Sequence, residues 1–298
     1  MPTTITQLRE PTEFAQALAR IAGQFPREEQ AAYLETLAAL ASGPKAAEQL
    51  VVFAAHDNAQ WIGTLLAQVL PGRAALFWPP QSTSDEVATE IVRHVLHVLA
   101  ERDIVLAQAL LHVDGSHNVR PFIDAGFHDA GELIYLYASN DAFVTEPYDS
   151  ELTFDIVSPR DPELAEVIER TYRDSLDCPL IDGWRSMEDV IASYLGTGTH
   201  RPELWRIVRS RGETVGCLLL ADFPELAQGE LVYLGVCREF RGRQYGAAIT
   251  RWALHAAHLQ RWQQLVLAVD AANMPAIRAY SICGFAQLAR RHVLVLRI

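Results

Sequence analysis

The chain has 298 residues, half of them apolar and 21% charged, enough to bury the cores of two ordinary domains. No stretch approaches the roughly 20 consecutive apolar residues of a membrane span, and "MPTTITQLREPTEF" at the N-terminus lacks the basic and apolar blocks of a secretory signal, so a cytoplasmic protein is expected. The net charge of −12 argues against nucleic acid and anionic membranes as partners, and the cysteines (Cys178, Cys217, Cys237, Cys283), lacking paired short spacing, suggest neither a disulfide framework nor a zinc site.

In chain order, the patterning predicts amphipathic helices over 11–22 and 26–42, each with Pro near the first helical position and acidic residues in the opening turn. Apolar runs at 50–55, 61–70 and 74–78, divided by "HDNAQ" and "PGR", read as an antiparallel meander. A helix over 84–101, a strand over 104–113, a short helix near 118–125 and a strand over 132–138 follow, and 139–150 reads as a linker. The second half repeats the order: strand 152–157, helices 161–174 and 187–195, a hairpin of 204–210 and 214–221, strand 230–236, helix 243–259, strand 265–270, helix 274–282 and a closing strand 292–298. At a fixed offset of 158 residues "VRPFIDAGF" (119–127) falls on "IRAYSICGF" (277–285), which points to an internal duplication with domains over 1–145 and 146–298. Charge divides with it: residues 1–149 carry 19 acidic and 8 basic side chains, net −11, and 150–298 carry 18 and 17, net −1. An anionic ligand is repelled by the first half and tolerated by the second.

The stretch "ELVYLGVCREFRGRQYGAA" (230–248) runs an apolar strand into an Arg- and Gly-bearing turn and then a long helix. Such a turn suits a phosphate, because the first helical N–H groups lack intrahelical partners and the helix dipole favours negative charge there. Gly242 and Gly246 allow close backbone approach, and the N–H groups of Gln244, Tyr245, Gly246 and Ala247 are expected to point outward, with Gln244 at negative φ. Arg238, Arg241 and Arg243 are expected to add positive charge beside the phosphates. Downstream, "NMPAIRAYSICGF" (273–285) places Asn273, Ala276 or Ile277, and Tyr280 on one helix face.

These two segments resemble the GNAT superfamily of N-acetyltransferases. The run Arg241 to Gly246 is similar to its acyl-CoA pyrophosphate loop (Gln or Arg, two residues, Gly, one residue, Gly or Ala), with Gln244 where the family usually has Gly. A register two residues later, on Arg243, Gly246 and Ala248, meets the pattern in full but lies farther from the strand end. The second segment matches N-x-x-A-x-x-x-Y-x-x-x-G-F at every lettered position. The resemblance implies an α/β fold of the α+β mixed-sheet kind, in two tandem GNAT-like domains. It implies acetyl-CoA as cosubstrate, no metal, and direct attack of a primary amine, small molecule or peptide, on the thioester. By the same resemblance Arg241, Gly242, Arg243, Gln244, Tyr245, Gly246, Ala247 and Asn273 bind the cofactor, Asn273 either bonding the pantetheine or capping its helix. A backbone N–H near Leu234 to Val236 holds the oxyanion, Tyr280 protonates the leaving thiolate, and Glu230 or Tyr233 serves as base. Asp174, Asp177, Asp182 and Trp184 lie where the family covers the acceptor. An acyl-CoA-binding regulatory module without turnover is the alternative. The first half lacks these features: "WPPQST" (78–83) replaces the approach to the loop, no Gly follows through Ala88, Phe122 falls on Tyr280 and Gly115 on Asn273. A degenerate copy that binds no CoA is expected there.

Overall fold

The computed structural model describes residues 4–25, 27–43, 46–58, 60–115, 118–146 and 151–298. The expected helix start at Pro26 and the last residues of the expected linker, 147–150, lie outside them. In chain order the elements are β1 (Thr4–Gln7), α1 (Pro11–Ala22), α2 (Arg27–Ser42), α3 (Ala46–Gln49), β2 (Leu50–Asp57), β3 (Gln60–Leu70), β4 (Ala74–Phe77), β5 (Gln81–Ser82), α4 (Asp85–Ala100), β6 (Leu106–His112) and α5 (Arg120–Asp124). There follow β7 (His128–Ser139), β8 (Leu152–Ile156), α6 (Pro162–Tyr172), α7 (Met187–Leu195), β9 (Trp205–Ser210), β10 (Glu213–Phe223), β11 (Gln228–Val236), α8 (Tyr245–Leu259), β12 (Gln264–Asp270), α9 (Met274–Ile282) and β13 (Ala286–Arg297). Helices open where the sequence supplies a short oxygen-bearing side chain: Ser84 accepts from the Val87 N–H, Asp161 from Glu163 and Ser186 from Asp189. The short β1, β5 and α3 carry too few residues to show a period, so patterning does not find them.

Two compact units divide the chain: Met1–Gly131 with Arg291–Ile298, and Glu132–Arg290. In the first, the strand order is β1-β2-β3-β4-β6-β13, antiparallel except for the parallel β4–β6 pair. In the second it is β8-β9-β10-β11-β12-β7, antiparallel except for the parallel β11–β12 pair. The two units share one topology.

The last strand of each sheet departs from the sequence reading. The strand expected to close the second half instead pairs Arg291–Arg297 with β6 of the first unit, where Leu294 is fully buried in the core with Ile91, Phe77 and Phe122. The second sheet is closed by β7, over Leu133–Ser139 against β12, with Ile134, Leu136 and Ala138 in its core. Edge pairing is set by register and burial rather than by nearness in sequence, so chain order alone misplaces these strands. In the second unit, Cys217, Leu218, Leu219 and Leu220 of β10 are consecutive and all fully buried, so both faces of that sheet are covered. No described helix is long and apolar enough to cross a membrane.

Candidate active site

Strand β11 carries the site. Leu231 lies opposite Leu220 and Tyr233 opposite Leu219, leaving Val232 as the extra residue of a bulge. On its other edge β11 pairs with β12 only at Gln228–Gln264, Gly229–Leu265 and Glu230–Val266. Beyond Glu230 the two parallel strands part, although both continue. The Cys237 N–H bonds Val215 O near the start of β10, so by strand alternation the N–H groups of Leu234 and Val236 face the opened edge. Glu230 is half-buried at the point of parting, and burial pushes its carboxyl above the ordinary value of 4.5.

The turn after β11 departs from expectation at Gln244, which sits in the left-handed region at φ +63° as the N-cap of α8. Gln244 was expected at negative φ. In this chain the position is one where the backbone itself turns left-handed, and Gln occupies it against the ordinary steric preference. Gly242, at φ +80°, has open space where a Cβ would project. Gln244 makes no side-chain cap, its carbonyl takes the Ala248 N–H, and the N–H groups of Tyr245, Gly246 and Ala247 have no acceptor among the described residues. A Cβ at Gly246 would meet nothing nearer than the Ala279 Cβ of α9 at 4.0 Å.

The side chains around this turn do different work from that expected. Tyr245 is buried, its hydroxyl 2.5 Å from Glu151 Oε1 and 3.1 Å from Ser210 Oγ, so only its N–H faces the turn. Arg241 donates from Nε to Val236 O (3.1 Å), from Nη1 to Asp174 O (2.8 Å) and from Nη2 to Thr171 O (2.7 Å). Arg238 pairs with Asp174 at 2.6 Å. Arg243 is exposed, its guanidinium 5.2 Å from the Phe240 ring centre. Of the three arginines expected beside phosphates, two are engaged by the protein itself.

On α9, Asn273 takes the capping alternative, its Oδ1 accepting from the Ala276 N–H at 3.3 Å. Tyr280 is 7% exposed and its ring lies 5.7 Å from that of Phe285. Burial, reinforced by the nearby Asp177 carboxylate, pushes its hydroxyl well up, so it stays protonated across the physiological range.

Across β11 a cluster that the sequence reading did not assemble faces α6 and α7. Thr171 Oγ1 donates to Ile168 O (2.7 Å) and so accepts from the Tyr233 hydroxyl (2.6 Å). Tyr194 stacks on Tyr233 at 5.2 Å and shares a 2.7 Å bond with the Tyr172 hydroxyl. Burial pushes the Tyr172 hydroxyl up to about 12, and those of Tyr194 and Tyr233 well above 10.0. This leaves Tyr233 a proton donor, so Glu230 is the better base of the two residues considered. Gly235, an isolated glycine inside a strand, was the available signal: a Cβ there would lie 2.6 Å from Thr171 Oγ1. Of the four residues expected to cover the acceptor, Asp174 is paired with Arg238, and Asp177 accepts from the Asp270 N–H (3.2 Å) while Asp270 accepts from the Cys178 N–H (3.0 Å). Asp177 is open to solvent on one side, yet enclosure by protein and the Asp270 charge push its carboxyl up. Among the described residues, no hydrogen bond, ion pair or ring contact joins Asp182 or Trp184 to Thr171, Tyr172, Tyr194 or Tyr233.

Residues 168–285 match the Acetyltransferase (GNAT) family. No curated protein matches the chain. Among solved structures it is similar to the GCN5-related N-acetyltransferase from Sphaerobacter thermophilus (TM-score 0.65, 16% identity, covering 99% of this chain and 95% of that one). It is also similar to a tandem GNAT protein from the clavulanic acid biosynthesis pathway (TM-score 0.55, 13% identity, 99% and 98%) and to the GCN5-related N-acetyltransferase from Kribbella flavida (TM-score 0.51, 13% identity, 93% and 95%). At these identities the likeness is one of fold, and it runs over nearly the whole chain. The parted strands, the turn and α9 all fall inside the segment 168–285 that matches the Acetyltransferase (GNAT) family, and the fold of the whole chain is that of the GNAT structures it resembles.

Proposed function

We propose that the second unit transfers an acetyl group from acetyl-CoA to a primary amine. The observation that carries this reading is the parting of β11 and β12 beyond Glu230, together with the unpaired N–H groups at the start of α8. The cosubstrate pyrophosphate binds the N–H groups of Tyr245, Gly246 and Ala247, and its arm lies along the open edge of β11. Glu230, its carboxyl raised by burial, takes a proton from the ammonium. The freed amine nitrogen bonds to the thioester carbonyl carbon, and the N–H groups of Leu234 and Val236 face the oxygen as it becomes anionic. A second N–H proton leaves to solvent, the C–S bond breaks, and the thiolate takes the Tyr280 proton, which solvent restores.

The first unit, on this reading, binds no CoA. Its α4 start is capped by Ser84 and carries Asp85 and Glu86 in the first turn, so a phosphate meets negative charge where α8 offers bare N–H groups.

The test is release of CoA thiol from acetyl-CoA over ethanolamine, spermidine, glucosamine, L-lysine and a lysine-ended peptide. Turnover of at least one amine, lost in Tyr280→Phe with CoA affinity kept, supports the enzyme. CoA binding without turnover on any of them favours a non-catalytic binding module. Gly246→Asp, whose Cβ has room, is expected to abolish CoA binding without unfolding the chain.

A further inference from the structure

The arginine of the phosphate turn spends its guanidinium on three main-chain carbonyls of the protein. The last carbonyls of an α-helix have no intrahelical partners and need donors from elsewhere. Helix α6 ends at Tyr172, and two carbonyls at this end, those of Thr171 and Asp174, are taken by the two terminal nitrogens of Arg241. Its Nε holds Val236 O at the end of β11, so one guanidinium joins strand end, helix end and following loop. Two ion pairs flank this junction, Arg170–Glu239 at 2.5 Å and Arg238–Asp174 at 2.6 Å. Asp174 is left-handed at φ +50°, a conformation that an Asp keeps when its surroundings hold it.

What Arg241 holds leads into the tyrosine cluster. The carbonyl it takes belongs to Thr171, whose hydroxyl fixes Tyr233, which stacks on Tyr194, itself bonded to Tyr172. Further along the same loop, Asp177 and Cys178 are tied to Asp270. A guanidinium that uses three of its five N–H donors on carbonyls is oriented by them, whereas Arg243, exposed like Arg241, makes no hydrogen bond or ion pair among the described residues.

We infer that Arg241 is a positioning residue for the acceptor: it fixes the end of α6 and, through Thr171, the tyrosines facing the amine, while Arg243 supplies the charge for phosphate. This rests on the acetyl-transfer reading for its kinetic consequence and on the hydrogen bonds alone for its structural one.

The experiment compares Arg241→Gln, Arg241→Lys and Arg243→Gln in the full chain. CoA affinity is measured by calorimetry, KM and kcat with the best-used amine of the panel above, and amide exchange over 171–178 without ligand. Arg241→Gln is expected to raise the amine KM and quicken that exchange by about tenfold each, the loss of about one charge-assisted hydrogen bond, with the CoA dissociation constant within about threefold. Arg241→Lys, which keeps the charge but cannot fork over three carbonyls, should behave like Arg241→Gln. Arg243→Gln should do the reverse, weakening CoA most at low salt. The inference is overturned if Arg241→Lys restores wild-type behaviour, if Arg241→Gln weakens CoA while sparing the amine KM, or if exchange over 171–178 is unchanged. Should no amine be used at all, the transfer reading fails, and the exchange measurement still decides what Arg241 holds.

Discussion

Gln244, at φ +63°, occupies a conformation that costs an ordinary residue roughly 1–2 kcal/mol and glycine almost nothing. Glycine also gains freedom in the unfolded chain, so Gln244→Gly is expected to hold the unfolding free energy within about 1 kcal/mol of wild type. Gln244→Val, β-branched in the same backbone, should lose about 1–2 kcal/mol more in urea unfolding. Glu230 yields a pH prediction. Its folded carboxyl is raised, so the folded state holds the proton more tightly than the unfolded one. The stability it contributes is present below its ordinary value of 4.5 and is lost as pH rises from there through the raised folded value. Glu230→Gln removes this titration: its stability relative to wild type should increase from pH 4 to pH 7, and an unchanged difference across that window would contradict burial of the charge. Tyr280, pushed up by burial, should give no basic limb in kcat below pH 10, and Tyr280→Phe should lower turnover by about 10²–10⁴.

Strand β11 shows how an element was half legible. Its apolar run, its end at Val236 and the helix beyond follow from composition and period. Its bulge at Val232 and its parting from β12 follow from partners 11 or more residues away in sequence, which no local pattern carries. The close approach of α6 at Gly235 is the physical link between the two faces. Gly235→Ala would put a methyl 2.6 Å from Thr171 Oγ1 and 2.7 Å from its Cβ, and is expected to cost about 1–3 kcal/mol in denaturant unfolding as α6 is pushed off the strand. Helix starts, by contrast, were readable where they depend on neighbours in sequence, as at Ser186, Asp161 and Asn273.

At the scale of the whole molecule, each unit is closed by a strand from the other end of the sequence order. A fragment 146–298 lacks β7 and bares the β12 edge, whereas 132–290 keeps all the β7 residues that pair with β12. The second fragment is expected to be folded and monomeric and the first to aggregate, checked by circular dichroism and light scattering. In the intact chain, titration with acetyl-CoA is expected to give one site, lost in Gly246→Asp; two sites would refute a first unit without CoA. The sequence by itself determined the order of the elements, the repeated plan, the charge asymmetry and the motif pair on β11–α8 and α9, because these depend on residues within a few turns of one another. Only the tertiary structure decided which strand completes which sheet, that Gln244 is left-handed, that Arg241 faces carbonyls, and that Thr171, Tyr233, Tyr194 and Tyr172 meet. Each of those is settled by burial and hydrogen-bond satisfaction between segments distant in the chain, for which a single sequence holds no local signal.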